Sequence, residues 1–438
     1  MYVHVTNRFR KSSIFSVFCK KTFVTTSQSS SYEHQYLANK CNINDFKQLL
    51  EVENDKMHTN DYPYANEIKS GVVIYDNNNI PYDNQNEREK IQAEMCKAFI
   101  QGSGIVVIKN SIETDIVDNV TKTFLNILEN EKLNGKNQKD HFGKEGANGR
   151  IWNALEKLAV EDPHGFTKYY SSNAIHLVSN AYLGPSYQMT SQINLVYPGG
   201  EAQQAHRDYH LGFQGNDVIE QFPSHVHQLC SQLTLQGAVA HCDMPLISGP
   251  TEYLPHSHKY KYGYLAYRID EFQTYFKNNF IQLPLNKGDS IFFNPAVFHA
   301  AGSNTSNDIN RMANLLQVSS AFGRPMETVD RLNMISNIYP TLLKIVVAGS
   351  EEEENGWTKE KTKNVIASVA DGYSFPTNLD TDPPIETTGL APETQAELMW
   401  KCIQNNCKWE EDAKEIFQSH WKKKRSGLDV DDGSKNNV

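Results

Sequence analysis

The feature that most constrains this chain is a set of short, β-branched or apolar runs crowded into its middle and separated by Gly, Pro, Asn and Asp. Met189–Tyr197, Leu229–Ala240, Ile281–Leu285, Ser290–Phe293 and Met312–Ser319 all read as strands. Several short strands bounded by turn residues predict a sandwich or barrel. Helical patterns flank these strands and do not alternate with them, which argues against βαβ repetition and a doubly wound sheet. Upstream, Glu87–Ile100 reads as a helix and Gly104–Ile108 as a buried strand bounded by glycine. Ile116, Val117, Val120, Phe124, Ile127 and Leu128 then recur at helical spacing. Beyond Pro325 the helical pattern returns. Glu351–Glu354 reads as a solvated acidic loop, Phe375–Pro384 as extended, and Pro392 suits the first turn of a helical stretch running to Lys424. Trp400, Cys402 and Trp409 in that stretch read as packing residues. His225 and His227 fall in a loop and carry no assigned role.

Composition narrows the function. Hydrophobic residues make up 39% of the 438, enough for a large core. Forty-two Lys and Arg against 52 Asp and Glu leave a net charge of −10, so nucleic acid is not an expected partner. No uninterrupted apolar run approaches the ~18 residues of a membrane span. The seven cysteines are odd in number and form no Cys-x-x-Cys pair, as expected of free thiols in a reducing compartment. No Walker-type phosphate loop occurs, and Gly102-Ser-Gly104 precedes its strand where a nucleotide loop would follow it. Residues 1–32 contain no acidic residue but carry Arg8, Arg10, Lys11, Lys20 and Lys21 among many Ser and Thr. That pattern predicts a transit peptide for a mitochondrion or plastid, with a tail on a cytoplasmic protein as the alternative. The final Asn-Asn-Val is not a Ser-Lys-Leu peroxisomal signal. The expected divisions are 1–32 as leader or tail, 33–86 as an N-terminal extension, 87–349 as the strand-rich domain, and 350–438 as a helical extension with a polar tail.

Two His-x-Asp patterns occur, His206-Arg-Asp208 and His241-Cys-Asp243. With fifteen histidines roughly one such match arises by chance, so the pattern alone decides nothing. Its chemical interest is geometric. On a strand, residues i and i+2 share a face, so either pair delivers an imidazole and a carboxylate together. A 2-His-1-carboxylate face holds Fe(II) and leaves coordination positions open. A third ligand must come from a distant strand. His299 suits that place, following the turn Lys287-Gly-Asp289, the strand Ile291-Phe-Phe293 and a second turn at Asn294-Pro295. Arg311, twelve residues on, opens the next strand with a guanidinium fork suited to a carboxylate.

At this point the chain resembles a known family. Gln192-Ile-Asn194 through Pro198-Gly-Gly200 leads to His206-Arg-Asp208. Ser248-Gly-Pro250 leads to Leu254-Pro255-His256-Ser257-His258, and Lys287-Gly-Asp289, His299 and Arg311 follow in order. Residues from about 102 to 323 thereby resemble the phytanoyl-CoA dioxygenase family of Fe(II)/2-oxoglutarate oxygenases. The resemblance implies a mainly β fold, a double-stranded β-helix (jelly-roll) core flanked by helices. It implies Fe(II) on His206, Asp208 and His299, with 2-oxoglutarate and O2 as cosubstrates and Arg311 on the distal carboxylate. It passes over His241-Cys-Asp243 as a metal site. Gln192 and Asn194 alternate onto one face of a strand and are candidates for contacting 2-oxoglutarate or substrate; Tyr209, His210 and Phe213 are candidates for lining the substrate pocket, with core packing as the alternative for the aromatics. The expected activity is oxidation of an unactivated C–H bond of a small molecule by hydroxylation, desaturation or ring closure, in specialised metabolism or on an amino-acid derivative. Because Asp208 is present, halogenation is not expected. An acyl-CoA 2-hydroxylase and a catalytically silent metal-binding scaffold or sensor are the alternatives. A cupin-type enzyme working without 2-oxoglutarate is a further rival, although it would have no need of Arg311. The family usually has Pro-Gly-Ser-His where this chain has Pro255-His256-Ser257-His258. That histidine pair is read as lying on the surface.

Overall fold

The computed structural model describes residues 40–134, 148–348, 356–385 and 389–424. The leader expected over 1–32, the acidic run Glu351–Glu354 and the polar tail beyond 424 lie outside them. Eleven strands are described: β1 (Glu67–Lys69), β2 (Val72–Asp76), β3 (Ile105–Lys109), β4 (Asn148–Ile151), β5 (Gln188–Val196), β6 (Thr234–Ala240), β7 (Glu252–Leu254), β8 (Ile281–Gln282), β9 (Ser290–Phe293), β10 (Phe298–Ala300) and β11 (Arg311–Ser319). Eight of them form one sheet in the order β1-β2-β3-β9-β6-β11-β5-β4, and β10-β7-β8 form a second. Helical residues outnumber strand residues, so the fold is mixed α/β where the sequence predicts mainly β.

Alternation along the large sheet sets up three layers. In β9, Phe292 faces one way and Ile291 and Phe293 the other; in β3, Val106 and Ile108 oppose Ile105 and Val107. One face buries its apolar residues against helices, among them Gln85–Ile100, Thr114–Leu133, Pro163–Tyr170 and Arg331–Ala348. The other face packs on the small sheet through Tyr253, Leu283 and Leu285. Cys402 is buried in the helical layer and Trp400 and Trp409 pack against it, as the sequence predicts.

Three sequence expectations are corrected. β2 and β3 pair in parallel through the crossover helix Gln85–Ile100, so one βαβ unit does occur at the sheet's edge. The run Leu229–Ala240 is a strand only from Thr234, because Ser224–Cys230 forms a short helix that also carries His225 and His227. The helix expected at Pro392 begins at Gln395, where Thr394 and Glu397 form a capping box. The other expected strands and helices lie within a few residues of their predicted bounds. No helix among the described residues is long and apolar enough to cross a membrane. The six described cysteines are free thiols.

Candidate metal centre

The small sheet brings the two ends of the site together. His206 forms an isolated antiparallel bridge with His299 of β10, the His206 amide donating to the His299 carbonyl at 2.9 Å and the reverse bond closing at 3.2 Å. The Asp208 amide donates to the Pro295 carbonyl at 3.0 Å. The His206–Asp208 segment is therefore held by backbone bonds to the turn and strand around His299 without forming a full strand of its own. Arg207 points the other way, buried between the rings of Tyr264 and Phe298.

One ligand atom from each of His206, Asp208 and His299 lies within 4.8 Å of the others. The imidazole orientation is fixed from behind. His206 Nδ1 lies 2.9 Å from the Gln204 carbonyl and His299 Nδ1 lies 2.8 Å from the Val297 carbonyl. A carbonyl only accepts, so both Nδ1 atoms carry the proton and both Nε2 atoms present a lone pair. Those lone pairs face Asp208, with His206 Nε2 at 3.5 Å from Oδ1 and His299 Nε2 at 3.3 Å from Oδ2. Three electron-rich groups converging at this range repel unless a cation or added protons sit among them. Burial alone pushes the Asp208 carboxyl up, but a proton taken up by the neighbouring imidazoles, together with the Gln236 amide that donates to Oδ2 at 2.7 Å, outweighs it and holds the carboxyl well below the usual carboxylate range. Burial likewise lowers His206, which favours its neutral, ligating form.

The centre opens into a cavity of about 130 Å³ between the two sheets. Register explains its walls. Across the large sheet Gln192 of β5 stands opposite Leu315 of β11, Leu315 opposite Ala238 of β6, and Ala238 opposite Ile291 of β9; all four side chains line the cavity. One row away Gln317, Gln236 and Phe293 line it as well. Arg311 closes the opposite end of the same face of β11. Its Nη1 donates to the carbonyls of Ser248 and Gly302 at 3.1 and 3.0 Å, which aims the fork. Burial brings its guanidinium down to about 10, still charged at neutral pH.

Comparison with known proteins gives one decisive match. Residues 100–313 fit the family model described as Phytanoyl-CoA dioxygenase (PhyH). This chain carries a PhyH-family domain. Among solved structures, the non-heme alpha ketoglutarate dependent epimerase SnoN from nogalamycin biosynthesis is 14% identical, with a TM-score of 0.36 over 54% of this chain and 84% of that one. The non-heme alpha ketoglutarate dependent carbocyclase SnoK from the same biosynthesis is 19% identical, with a TM-score of 0.37 over 52% and 83%. The non-heme monooxygenase ThoJ, in its nickel complex, is 18% identical, with a TM-score of 0.38 over 55% and 81%. No curated protein matches the chain significantly.

The PhyH-type residues are not all placed alike. His206, Asp208, His299, Arg311, Gln192, Asn194 and Phe213 line the one cavity. Tyr209 and His210 do not. Both take positive φ, 63° and 44°, and the turn they make carries the Tyr209 ring into a buried position outside the cavity wall. Among the cavity residues that the sequence reading does not single out are Gln236, Gln317, Arg150 and Trp152. Gln236 shares the period-two alternation of its strand with the cavity residues Ala238 and Ala240, which is the available signal; the four-residue strand of Arg150 offers none. Arg150 stacks its guanidinium 4.8 Å from the Trp152 ring and brings a second cation to the cavity. The second His-x-Asp pattern has a different place. His241 is buried, with Nδ1 2.8 Å from the Thr121 hydroxyl and Nε2 3.0 Å from the Tyr169 hydroxyl. His256 is not on the surface as expected; it is fully buried in the left-handed conformation at φ 65°, the conformation for which glycine is better suited.

Proposed function

We propose that the domain is an Fe(II)/2-oxoglutarate-dependent oxygenase with a jelly-roll core, oxidising a C–H bond of a small molecule. The observation that carries this reading is the pair of back-locked imidazoles whose Nε2 lone pairs meet the Asp208 carboxylate, with Arg311 at the far end of the same cavity. Two imidazoles and one carboxylate suit Fe(II), and a three-residue face leaves room for cosubstrate and dioxygen. When bound, the iron would supply the oxidising chemistry. The chain's own residues bind and orient. Gln236 fixes the Asp208 carboxylate, while Gln204 and Val297 fix the rings. Arg311 receives the distal carboxylate of 2-oxoglutarate, and the apolar wall of Ala240, Leu285, Ile291 and Ala313 keeps water from its methylene chain. Arg150, Asn194 and Gln192 offer a cation and amides to a second polar group. Trp152, Phe213 and Met326 give the substrate side an apolar surface. With Asp208 filling its ligand position, hydroxylation, desaturation or ring closure is the expected outcome.

The test is an anaerobic titration of the protein with Fe(II) and 2-oxoglutarate, read by the visible charge-transfer band of the chelate. The band should need both additions, vanish in His299→Ala, and require far more 2-oxoglutarate in Arg311→Ala. Folded protein that gives no band would overturn the proposal.

A further inference from the structure

A second cavity, of about 200 Å³, lies on the opposite side of the His206–Asp208 segment from the metal centre. Arg207, His227, His258, Lys259, Lys261 and Gln232 line it, and no Asp or Glu is among its described lining residues. Lys259 is already neutralised by Glu53, to which it donates at 2.5 Å. Arg207 is not. It is 3% exposed, and its Nη2 donates to the carbonyls of Ser257 and Tyr260 at 2.6 and 3.1 Å. Its Nε has no hydrogen-bond partner among the described residues. A buried guanidinium with only neutral acceptors and an idle N–H is costly. Carbonyls satisfy part of its hydrogen bonding but none of its charge. The wall is also built to stay in place, since Asn294 Nδ2 donates to the Tyr182 hydroxyl and that hydroxyl donates to the Ser231 carbonyl.

We propose that this cavity binds an oxyanion of the phosphate type, held by Arg207 and Lys261 with Gln232 as a further donor. Several donors converging from different sides match a tetrahedral, many-acceptor anion better than a flat carboxylate. Because Arg207 lies between His206 and Asp208 in the chain, the anion braces the segment that carries two of the three convergent groups. The site does not depend on the metal reading.

The test is isothermal titration calorimetry of the metal-free full chain with inorganic phosphate and, separately, adenosine monophosphate, at fixed ionic strength. Removing Arg207 itself risks the fold, so the informative variant is Lys261→Glu at the exposed mouth. Saturable binding should weaken about tenfold or more in Lys261→Glu and stay within about twofold in Arg311→Ala. Tighter binding of inorganic phosphate assigns a free oxyanion; tighter binding of the monophosphate assigns a phosphate ester. The proposal fails if neither probe saturates, or if binding survives Lys261→Glu and is lost in Arg311→Ala, which would put the anion in the metal cavity.

Discussion

Gln236→Leu isolates the contribution of a single amide to the metal centre. Gln236 sits on β6 opposite Gln317 and Phe293, is 8% exposed, and donates from Nε2 to Asp208 Oδ2 at 2.7 Å. Oδ1 faces His206, so this one bond decides how the carboxylate is rotated toward the site. Leucine retains the bulk and removes the donor. A hydrogen bond to a charged acceptor contributes about 1.5–3 kcal/mol. At about 1.4 kcal/mol per decade that is roughly 10- to 150-fold in affinity. Partners that orient metal ligands typically cost roughly 10- to 100-fold when removed, in agreement. The assay is anaerobic competition for Fe(II) against a chromophoric chelator, with thermal unfolding as the check on the fold. Gln317→Leu is the control, because Gln317 lines the same cavity and has no bond to Asp208. If Gln236→Leu held Fe(II) within about twofold of the unaltered protein, the carboxylate would be oriented by something else and the reasoning would fail.

Other perturbations follow from the same structure. Gly249 lies at φ +71°, and a Cβ there would fall 2.2 Å from the Ser303 carbonyl oxygen and 2.6 Å from that of Gly302. Gly249→Ala should cost about 1–3 kcal/mol in urea unfolding and loosen the Gly302 and Ser248 carbonyls that aim Arg311. Arg311→Lys retains charge without the fork, so 2-oxoglutarate should bind more weakly than in the unaltered protein yet more tightly than in Arg311→Ala, as read by the charge-transfer titration. Burial holds His241 down at about 3 and His176 at about 4. Both folded-state values lie below the unfolded value of about 6.5, so the unfolded chain takes up protons first and stability falls as pH drops from about 6.5 toward 4. Each should contribute roughly 1.5–2 kcal/mol of lost stability between pH 7 and 5, and a stability that stays level over that range would contradict neutral burial.

What could be read from the sequence was the part carried by alternation and by side-chain chemistry. β5, β9 and β11 announced themselves as apolar runs between turns, and His206, Asp208, His299 and Arg311 stand together as the motif order implied. What was missed has physical reasons. β2 does carry a local strand signal, Val72-Val73-Ile74-Tyr75 after Gly71, that the sequence reading passes over; its parallel pairing with β3 is the long-range contact that has no local signature. The Ile43–Asp55 helix is mostly polar and gains its place by inserting Phe46 and Leu50 into an aromatic cluster with Tyr260, Phe272 and Phe298. Neutral amides such as Gln236 look like solvent-facing strand positions until the sheet that covers them is known. The sequence offers no sign that His256 is enclosed; the structure buries it completely, with its backbone N–H donating to the Ser103 carbonyl.

The two His-x-Asp patterns show why spacing could not choose between them and parity can. On β6, Gln236, Ala238 and Ala240 face the cavity, and Ala240 stands opposite Ala313, which faces it too. His241 is the next residue and points into the helical layer, where Thr121 and Tyr169 take both its ring nitrogens. Asn314 on β11 has the same parity and reaches the same Tyr169 and Tyr170 hydroxyls. His241 is thus one residue out of phase with the cavity, and Asp243 lies beyond the strand, where it accepts the Lys287 backbone N–H. The same parity governs Arg311. It reaches the cavity because Ala313, Leu315 and Gln317 do, while Met312, Leu316 and Val318 fill the helical side. A one-residue slip of β11 against β5 and β6 would send the guanidinium into the apolar layer and bring Met312 to the cavity. The paired register on both edges of β11, nine residues against β5 and seven against β6, is what prevents that slip.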